Sequence, residues 1–522
     1  MRPYKEALAH FNLPEFKTEW GQIVRGIEKE SLRVTPTGRL AQTDHPPALG
    51  CALTHPYITT DFSEALLELI TPTFTDIEAC LQFLADLHKF SYAQLEDQET
   101  LWGLSMPCIL AGEDQIPLAR YGSSNIGRLK TLYREGLGHR YGRLMQTVAG
   151  IHYNFSMPES FWADYRVLKQ STEQLEAFQT RQYLHLIRNY HRYAWLLVYL
   201  FGASPTVCRC FAAGRKHDLQ ELDSGTLYKP DATCLRMSNL GYKSEAQKSI
   251  FVCYNELGSY LESLQKAMST PYEPYVAIGS RDDGTHLQIN TNLLQLENEF
   301  YATIRPKRVG ASGEHPLQLL REHGIQYVEV RVLDLNPFLP LGIDAEQIRF
   351  LDSFLLFCLL ADSPECTERE YFETEANLAA VVNKGRDPEL KLSHKGEQLS
   401  MREWARDLVE KTRQSAALLD QVHETDAYSK SIQTQSAKVE NSELTPSAQV
   451  LQVMKKDKLA FAVFGLQQSL AHQAWFREQA MAPKQLDHLI AVSAQSVAKQ
   501  AAIEASDDIS FDQYLEQWNS FR

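Results

Sequence analysis

The sequence predicts an α+β fold, an antiparallel or mixed sheet surrounded by helices and followed by a helical C-terminal region. Several short segments alternate apolar and polar side chains with the period of a strand, while longer stretches repeat apolar residues at helical spacing. Long insertions separate the strands without the β-α-β rhythm of a doubly wound sheet.

In chain order, residues 1–20 read as a short amphipathic helix leading into a first strand. That strand, Gly26-Ile27-Glu28-Lys29-Glu30-Ser31-Leu32, places Glu28 and Glu30 on one face. Thr75–Glu96 reads as a helix, with Thr75 able to cap it and Ile77, Leu81 and Leu84 on its inner face. Ile151–Ser156 alternates again, with His152, Asn154 and Ser156 opposite Ile151, Tyr153 and Phe155. Long helices are expected over about 173–200 and 245–268, then a strand at His286–Asn290. In Tyr327–Val332 three valines oppose Tyr327, Glu329 and Arg331. Helices follow near 344–361, 367–383 and 400–424. From about 385 onward strand signals vanish, and Thr445-Pro446 opens further apolar-periodic helices. Residues 1–384 therefore read as the catalytic core and 385–522 as a helical region packed on it, not an independent unit.

Composition narrows the function. The 522 residues are 44% hydrophobic and 23% charged, enough to bury a large core without crosslinks. A net charge of -14 argues against general nucleic-acid binding, which needs a basic field. The nine cysteines are scattered and form no C-x-x-C pair, so they read as reduced structural thiols. The first twenty residues mix charges without an apolar h-region. Tyr193–Ala203 and Phe354–Ala361 are shorter than the roughly 20 residues that a membrane span needs. The expectation is a cytoplasmic protein with neither membrane nor nucleic-acid partners.

The candidate chemistry lies on the polar strand faces. Glu28-x-Glu30 alone also fits a solvated strand. Glu68, however, falls in the apolar run Ala65–Ile70, where a carboxylate needs a metal, an arginine or solvent at an edge. Asp61 precedes it, and Glu64 between them reads as a surface residue. His152 fits either a satisfied core histidine or a ligand. Together with Glu329 and Arg331, these residues describe a sheet suited to several hard cations and a phosphate. Arg120–Arg143 is a basic island, with Arg134 among its six cationic residues, punctuated by five glycines. It fits a phosphate-facing loop, a solvated basic loop or an RNA contact patch, and carries no Walker motif. Arg305-Pro306-Lys307-Arg308 adds a second cluster. On the residues alone, a metal-dependent phosphohydrolase remains open.

Ordered blocks extend this reading. They include Arg25–Val34, Leu53-Thr54-His55, Ile58–Pro72, Leu104–Cys108, Lys130–Leu137, Met145-Gln146-Thr147, His152–Ser156 and Leu200–Pro205. Leu240-Gly241-Tyr242, Gln288-Ile289-Asn290, Ile304–Arg308, Val328–Arg331, Asp334 and Asn336-Pro337-Phe338 complete the series. Across residues 25–345 the chain resembles the bacterial glutamate–cysteine ligase family of the gamma-proteobacterial type; the C-terminal third resembles it only loosely. The resemblance implies a glutamine-synthetase-like fold, whose curved, mainly antiparallel sheet forms a funnel lined with carboxylates. It implies ATP-dependent joining of the L-glutamate γ-carboxylate to the L-cysteine amine through γ-glutamyl phosphate, the first step of glutathione synthesis. Two or more Mg²⁺ ions, with Mn²⁺ as a substitute, would be held by Glu28, Glu30, Asp61, Glu68, His152 and Glu329. Arg134 and Arg331 would neutralise the transferring phosphoryl group. Tyr133, Leu137, Gln146, Tyr242 and Tyr301 would line the cysteine pocket, with Arg236 toward its carboxylate. A monomer open to feedback inhibition by glutathione is the accompanying expectation. The alternatives are a sibling ligase that joins glutamate to another amine and a non-catalytic regulator on the same fold.

Overall fold

Strand β1 (Val24–Val34) runs through a sheet completed by β2 (Ile58–Thr60), β3 (Leu66–Ile70), β4 (Thr100–Leu101), β5 (Ile151–Ser156), β6 (Ile304–Lys307) and β7 (Tyr327–Leu333). The structure, a computed structural model, describes residues 2–13, 20–95, 98–241, 246–247, 250–310 and 313–520. The strand order is β6-β7-β5-β1-β3-β2, with β4 pairing the end of β1, and neighbouring strands are antiparallel.

Register decides which residues meet. Glu28 lies directly opposite His152, Glu30 opposite Glu68, and Glu329 opposite both Asn154 and Arg305. Directly opposed residues of an antiparallel pair point to the same side. Glu28, Glu30, Glu68, His152, Asn154, Arg305 and Glu329 therefore share one face, while Arg25 and Lys29 point to the other.

Helices cover the other face. Besides α1 (Arg2–Phe11) they include α2 (Ile77–Gln94), capped by the Asp76 carboxylate accepting from Ala79 N. Thr75, the residue expected to cap it, instead supplies a carbonyl to Arg25. Helix α3 (Asn125–Tyr141) belongs to the site, α4 (Glu159–Leu168) packs on α5 (Leu175–Phe201), and α5 lies against β6 and β7. Helix α6 (Leu257–Ser269) begins well after the expected residue 245. Helix α7 (Ala345–Leu360) sends Asp352 beneath the sheet, where it pairs with Arg25 at 2.9 Å and accepts from Tyr153 Oη at 2.5 Å. Helix α8 (Glu368–Lys384) packs on α5. Among the described residues, no helix is long and apolar enough to cross a membrane.

Three local expectations change. His286–Asn290 pairs only at Thr285–His286, in a two-residue bridge to Arg281–Asp282, because buried Gln288 spends its amide on Tyr275 O, Gly279 O and Arg140. The basic island is a helix, α3, capped by Ser124 accepting from Gly127 N, and not a glycine-rich loop. Beyond residue 385 a hairpin remains, Lys391–His394 against Glu397–Ser400, turning at Lys395 (φ 54°) and Gly396 (φ 85°). Helix α9 (Met401–Val422) packs on α7, and the helix Phe461–Arg477 on α2. Helix α10 (Pro483–Ser506) meets residues 50–55, where Ser496 Oγ accepts from Cys51 N and Ser496 O from Thr54 Oγ1. Helix α11 (Phe511–Ser520) lies on α3.

Lys29 occupies the apolar side of β1, between Glu28 and Glu30. Its Nζ sits 2.7 Å from His88 Nε2 and 3.5 Å from Pro340 O, and burial pushes the ammonium down from 10.5 to about 7. Between those values the unfolded chain holds the extra proton, so stability increases with pH across that window. Lys29→Met should abolish this rise, which amounts to at most ~1.4 kcal/mol per pH unit for one group. Urea midpoints of both chains between roughly pH 7.5 and pH 9.5 check it, and parallel curves would refute it.

Candidate active site

The register of β5, β1, β3 and β7 gathers two groups of ligand atoms around one imidazole. Glu28, His152 and Glu329 offer atoms within 4.8 Å of one another, and so do Glu30, Glu68 and His152. His152 Nδ1 lies 3.2 Å from Glu28 Oε2 and 3.3 Å from Glu329 Oε1, while Nε2 lies 3.7 Å from Glu30 Oε1. Neighbours aim the carboxylates: Asn154 Nδ2 donates to Glu28 Oε1 at 2.8 Å, and Gly150 N to Glu30 Oε2 at 2.8 Å. Asp61, at the end of β2, faces the same space.

Charge crowding shapes their protonation. Burial pushes Glu30 up to about 7, with Asp61 adding to the rise against His152 and two arginines. Burial and the neighbouring Glu28, Asp61 and Glu30 hold Glu68 well above the ordinary carboxylate range. Among the described residues no cation comes within ion-pair distance of Glu68. Burial also works against ionised Glu329, but Lys307, Arg331 and His152 outweigh it and hold its carboxyl well below the ordinary range. Burial and Arg331 oppose a charged His152, yet Glu28 and Glu329 raise it to about 9. Clustered carboxylate oxygens short of countercharge are the donor set that hard divalent cations take, so these residues fit magnesium.

Opposite the carboxylates stands a cationic and aromatic wall. Helix α3 turns Tyr133, Arg134 and Leu137 toward the cavity. Arg134 donates from Nε to Asp61 O at 2.5 Å and from Nη1 to Lys130 O at 2.9 Å, and stacks 4.6 Å from the Tyr121 ring centre. Arg331 shares a strand face with Glu329 and donates to its Oε1 at 2.9 Å. Lys307, 3.5 Å from Glu329 Oε2, reaches in from β6 beside Arg305. Gln146 and Tyr301 help close a cavity of about 260 Å³. A larger surface groove, about 690 Å³ between the start of α5 and α6, carries charges that pair locally, as Arg181 does with Glu173. Among the described residues it gathers no comparable ligand cluster.

Comparison with known proteins places the chain in a family. The sequence profile of the glutamate-cysteine ligase family matches residues 8–381. The chain belongs to the glutamate–cysteine ligase family. It is 51% identical over 504 residues to the glutamate–cysteine ligase of Pseudomonas putida KT2440, covering 97% of this chain and 95% of that one. It is 50% identical over 515 residues to that of Azotobacter vinelandii, covering 98% and 97%. Among solved structures, a Francisella tularensis glutamate–cysteine ligase in complex with AMP superposes with a TM-score of 0.91 at 34% identity, covering 97% of this chain and 99% of that one. A bifunctional glutathione synthetase from Pasteurella multocida gives 0.72 at 25% identity, covering 94% of this chain and 57% of its own.

Against this ligase background, the residues picked from sequence fall into three groups. Glu28, Glu30, Asp61, Glu68, His152, Glu329, Tyr133, Arg134, Leu137, Gln146, Tyr301 and Arg331 all line one cavity. Arg236 does not. It is 1% exposed, pairs with Asp334 at 2.8 Å and donates to Leu333 O, behind the sheet end that carries Arg331. Tyr242 lies outside the described residues. Glu64, expected at the surface, is buried and accepts from His45 N and Arg120 N. Of the island's six cationic residues only Arg134 lines the cavity; Arg120 pairs with Asp44, Arg140 with Glu299 and Arg143 with Glu135. Arg305 and Lys307 were visible as a basic cluster, and alternation along β6 could have placed both facing Glu329. Glu299 and Gln247 also line the cavity, from short irregular segments that carry no sequence signal.

Proposed function

We propose that the chain joins the γ-carboxylate of L-glutamate to the amine of L-cysteine at the expense of ATP, the first step of glutathione synthesis. The observation that carries this is one 260 Å³ cavity in which two carboxylate–imidazole groups face Arg134 and Arg331. A carboxylate is a poor electrophile. Attack of its oxygen on the ATP γ-phosphorus, with ADP leaving, gives an acyl phosphate, and the amine then displaces phosphate through a tetrahedral intermediate. The protein supplies position and charge neutralisation, and needs no nucleophile of its own.

Glu28, Glu329 and His152 on one side, and Glu30, Glu68 and Asp61 on the other, would hold the magnesium ions. When bound, those cations neutralise phosphate oxygens and fix their orientation. Arg331 and Arg134 meet the phosphoryl group as charge builds on it. Tyr133, Leu137, Gln146 and Tyr301 enclose the acceptor amino acid. Arg236 serves by bracing the end of β7 through Asp334 and the Leu333 carbonyl. The AMP complex of the Francisella relative supports nucleotide binding by this chain. A monomer acting in the cytoplasm, restrained by glutathione, belongs to the same reading.

Oxygen-18 placed in the glutamate γ-carboxylate should appear in the released phosphate, with ADP release requiring cysteine. Unlabelled phosphate would rule out the acyl phosphate. Faster ADP release with glycine, 2-aminobutyrate or ammonia than with cysteine would favour a sibling amine ligase.

A further inference from the structure

The arm that ends the described chain touches the cavity nowhere, yet it holds both segments that bear on Tyr133. Glu504 Oε1 accepts from Ser123 N at 2.8 Å, and Asp507 Oδ2 from Asn125 N at 2.5 Å, while Asn125 Nδ2 donates to Ile509 O at 3.0 Å. The first N–H groups of a helix lack partners within it, and carboxylates there also favour the helix dipole. The start of α3 is thus capped from a segment about 380 residues away. Gly122 makes the approach possible: at φ 81° it faces Glu504 Oε1 and Gln500 Nε2, each 2.3 Å from where a Cβ would stand.

Helix α11 extends the grip along α3. Phe511 and Leu515 form a small core of their own with Leu129, Leu132 and Ile289, and Arg128 lies 4.2 Å over the Phe511 ring. Across this core, Asp512 pairs with Arg281 at 2.6 Å and His286 at 2.7 Å, and Asn519 Nδ2 donates to Ile289 O. The loop so held carries Gln295, which donates to Tyr133 O at 3.3 Å and packs against Gly136. Leu129 and Leu132 of α3 face the arm; Tyr133 and Leu137 face the cavity. Arg134, on the same helix, is tied off it to Asp61 O and the Tyr121 ring.

We propose that residues 504–520 are a positioning element for the acceptor side of the site, with Asp507 and Asp512 setting α3 and the 281–295 loop so that Tyr133 and Leu137 fit the acceptor amino acid. The proposal rests on the ligase reading above. Because Arg134 is anchored separately, loosening the arm should disturb acceptor binding and spare phosphoryl transfer.

The test uses full-length Asp507→Ala and Asp512→Ala, both at exposed positions. Loss of one helix cap should raise KM for cysteine about five-fold, leaving kcat and the KM values for glutamate and ATP within about two-fold. Hydrogen exchange without substrate should quicken about five-fold at the first amides of α3 in Asp507→Ala. Asp507→Asn, which keeps an acceptor oxygen, should recover most of both effects. Unchanged KM for cysteine beside faster exchange overturns the proposal, as does an equal rise in all three KM values or a loss of kcat alone. Wild-type ADP release that needs no cysteine would instead overturn the ligase reading, and with it the arm's acceptor role; the exchange data would still report whether the arm holds α3.

Discussion

Glu68→Gln should leave the chain folded and cut turnover about a thousand-fold, equivalent to ~4 kcal/mol of transition-state stabilisation. Glu68 sits on β3 directly opposite Glu30, and burial together with Glu28, Asp61 and Glu30 holds its carboxyl well above the ordinary range. An amide has the same shape and removes one of the crowded charges, so the metal-free protein should melt no lower than wild type. What it cannot do is balance a divalent ion. Thermal melts with and without magnesium, beside kcat, separate the two effects. A well-folded variant with near-normal turnover would make Glu68 a structural residue.

Arg331→Lys should lower kcat about a hundred-fold while moving the glutamate KM less than about three-fold, because the contact counts most as charge develops on the transferring group. The guanidinium is fixed by Glu329 Oε1 at 2.9 Å, and the β7 register shifts between Val330 and Leu333, where Arg331 N bonds to Thr303 O. A planar fork held in this way can meet two phosphoryl oxygens, whereas a lysine offers one charge on a flexible stem. Arg143→Lys is the control. Arg143 binds Glu135 and Ile116 O away from the cavity, and the change should alter kcat less than about two-fold. Equal losses in the two variants would mean that general positive potential is what the site uses.

Alternation along single strands made the polar face legible, since His152, Glu329 and Arg331 each alternate with buried apolar neighbours, and Glu28 and Glu30 share the face opposite Ile27. Which strands pair is a long-range matter. That Glu28 meets His152 across the sheet, or that Glu30 meets Glu68, follows from register set by the whole core. The same limit explains Arg236, whose partner Asp334 is remote in sequence: an isolated arginine looks the same whether it faces substrate or a buried acid. In α3 the signal was present but masked, because Ile126, Leu129, Leu132 and Leu137 keep helical spacing among five glycines in Arg120–Arg143. The hairpin after 390 was missed for a similar reason. Its Lys395-Gly396 turn and flanking Leu392 and Leu399 form a hairpin pattern, diluted by the helical character of everything around it.

The capping of α3 by Glu504 and Asp507 has a consequence for the order of synthesis. A chain emerging from the ribosome exposes the carboxylate strands and Asn125 early, and domains fold roughly in the order they appear. The groups that finish the start of α3 are added about 380 residues after it. The acceptor wall is therefore complete only once Asp507 has been made, and a product that stops short of residue 504 lacks both of its carboxylate caps.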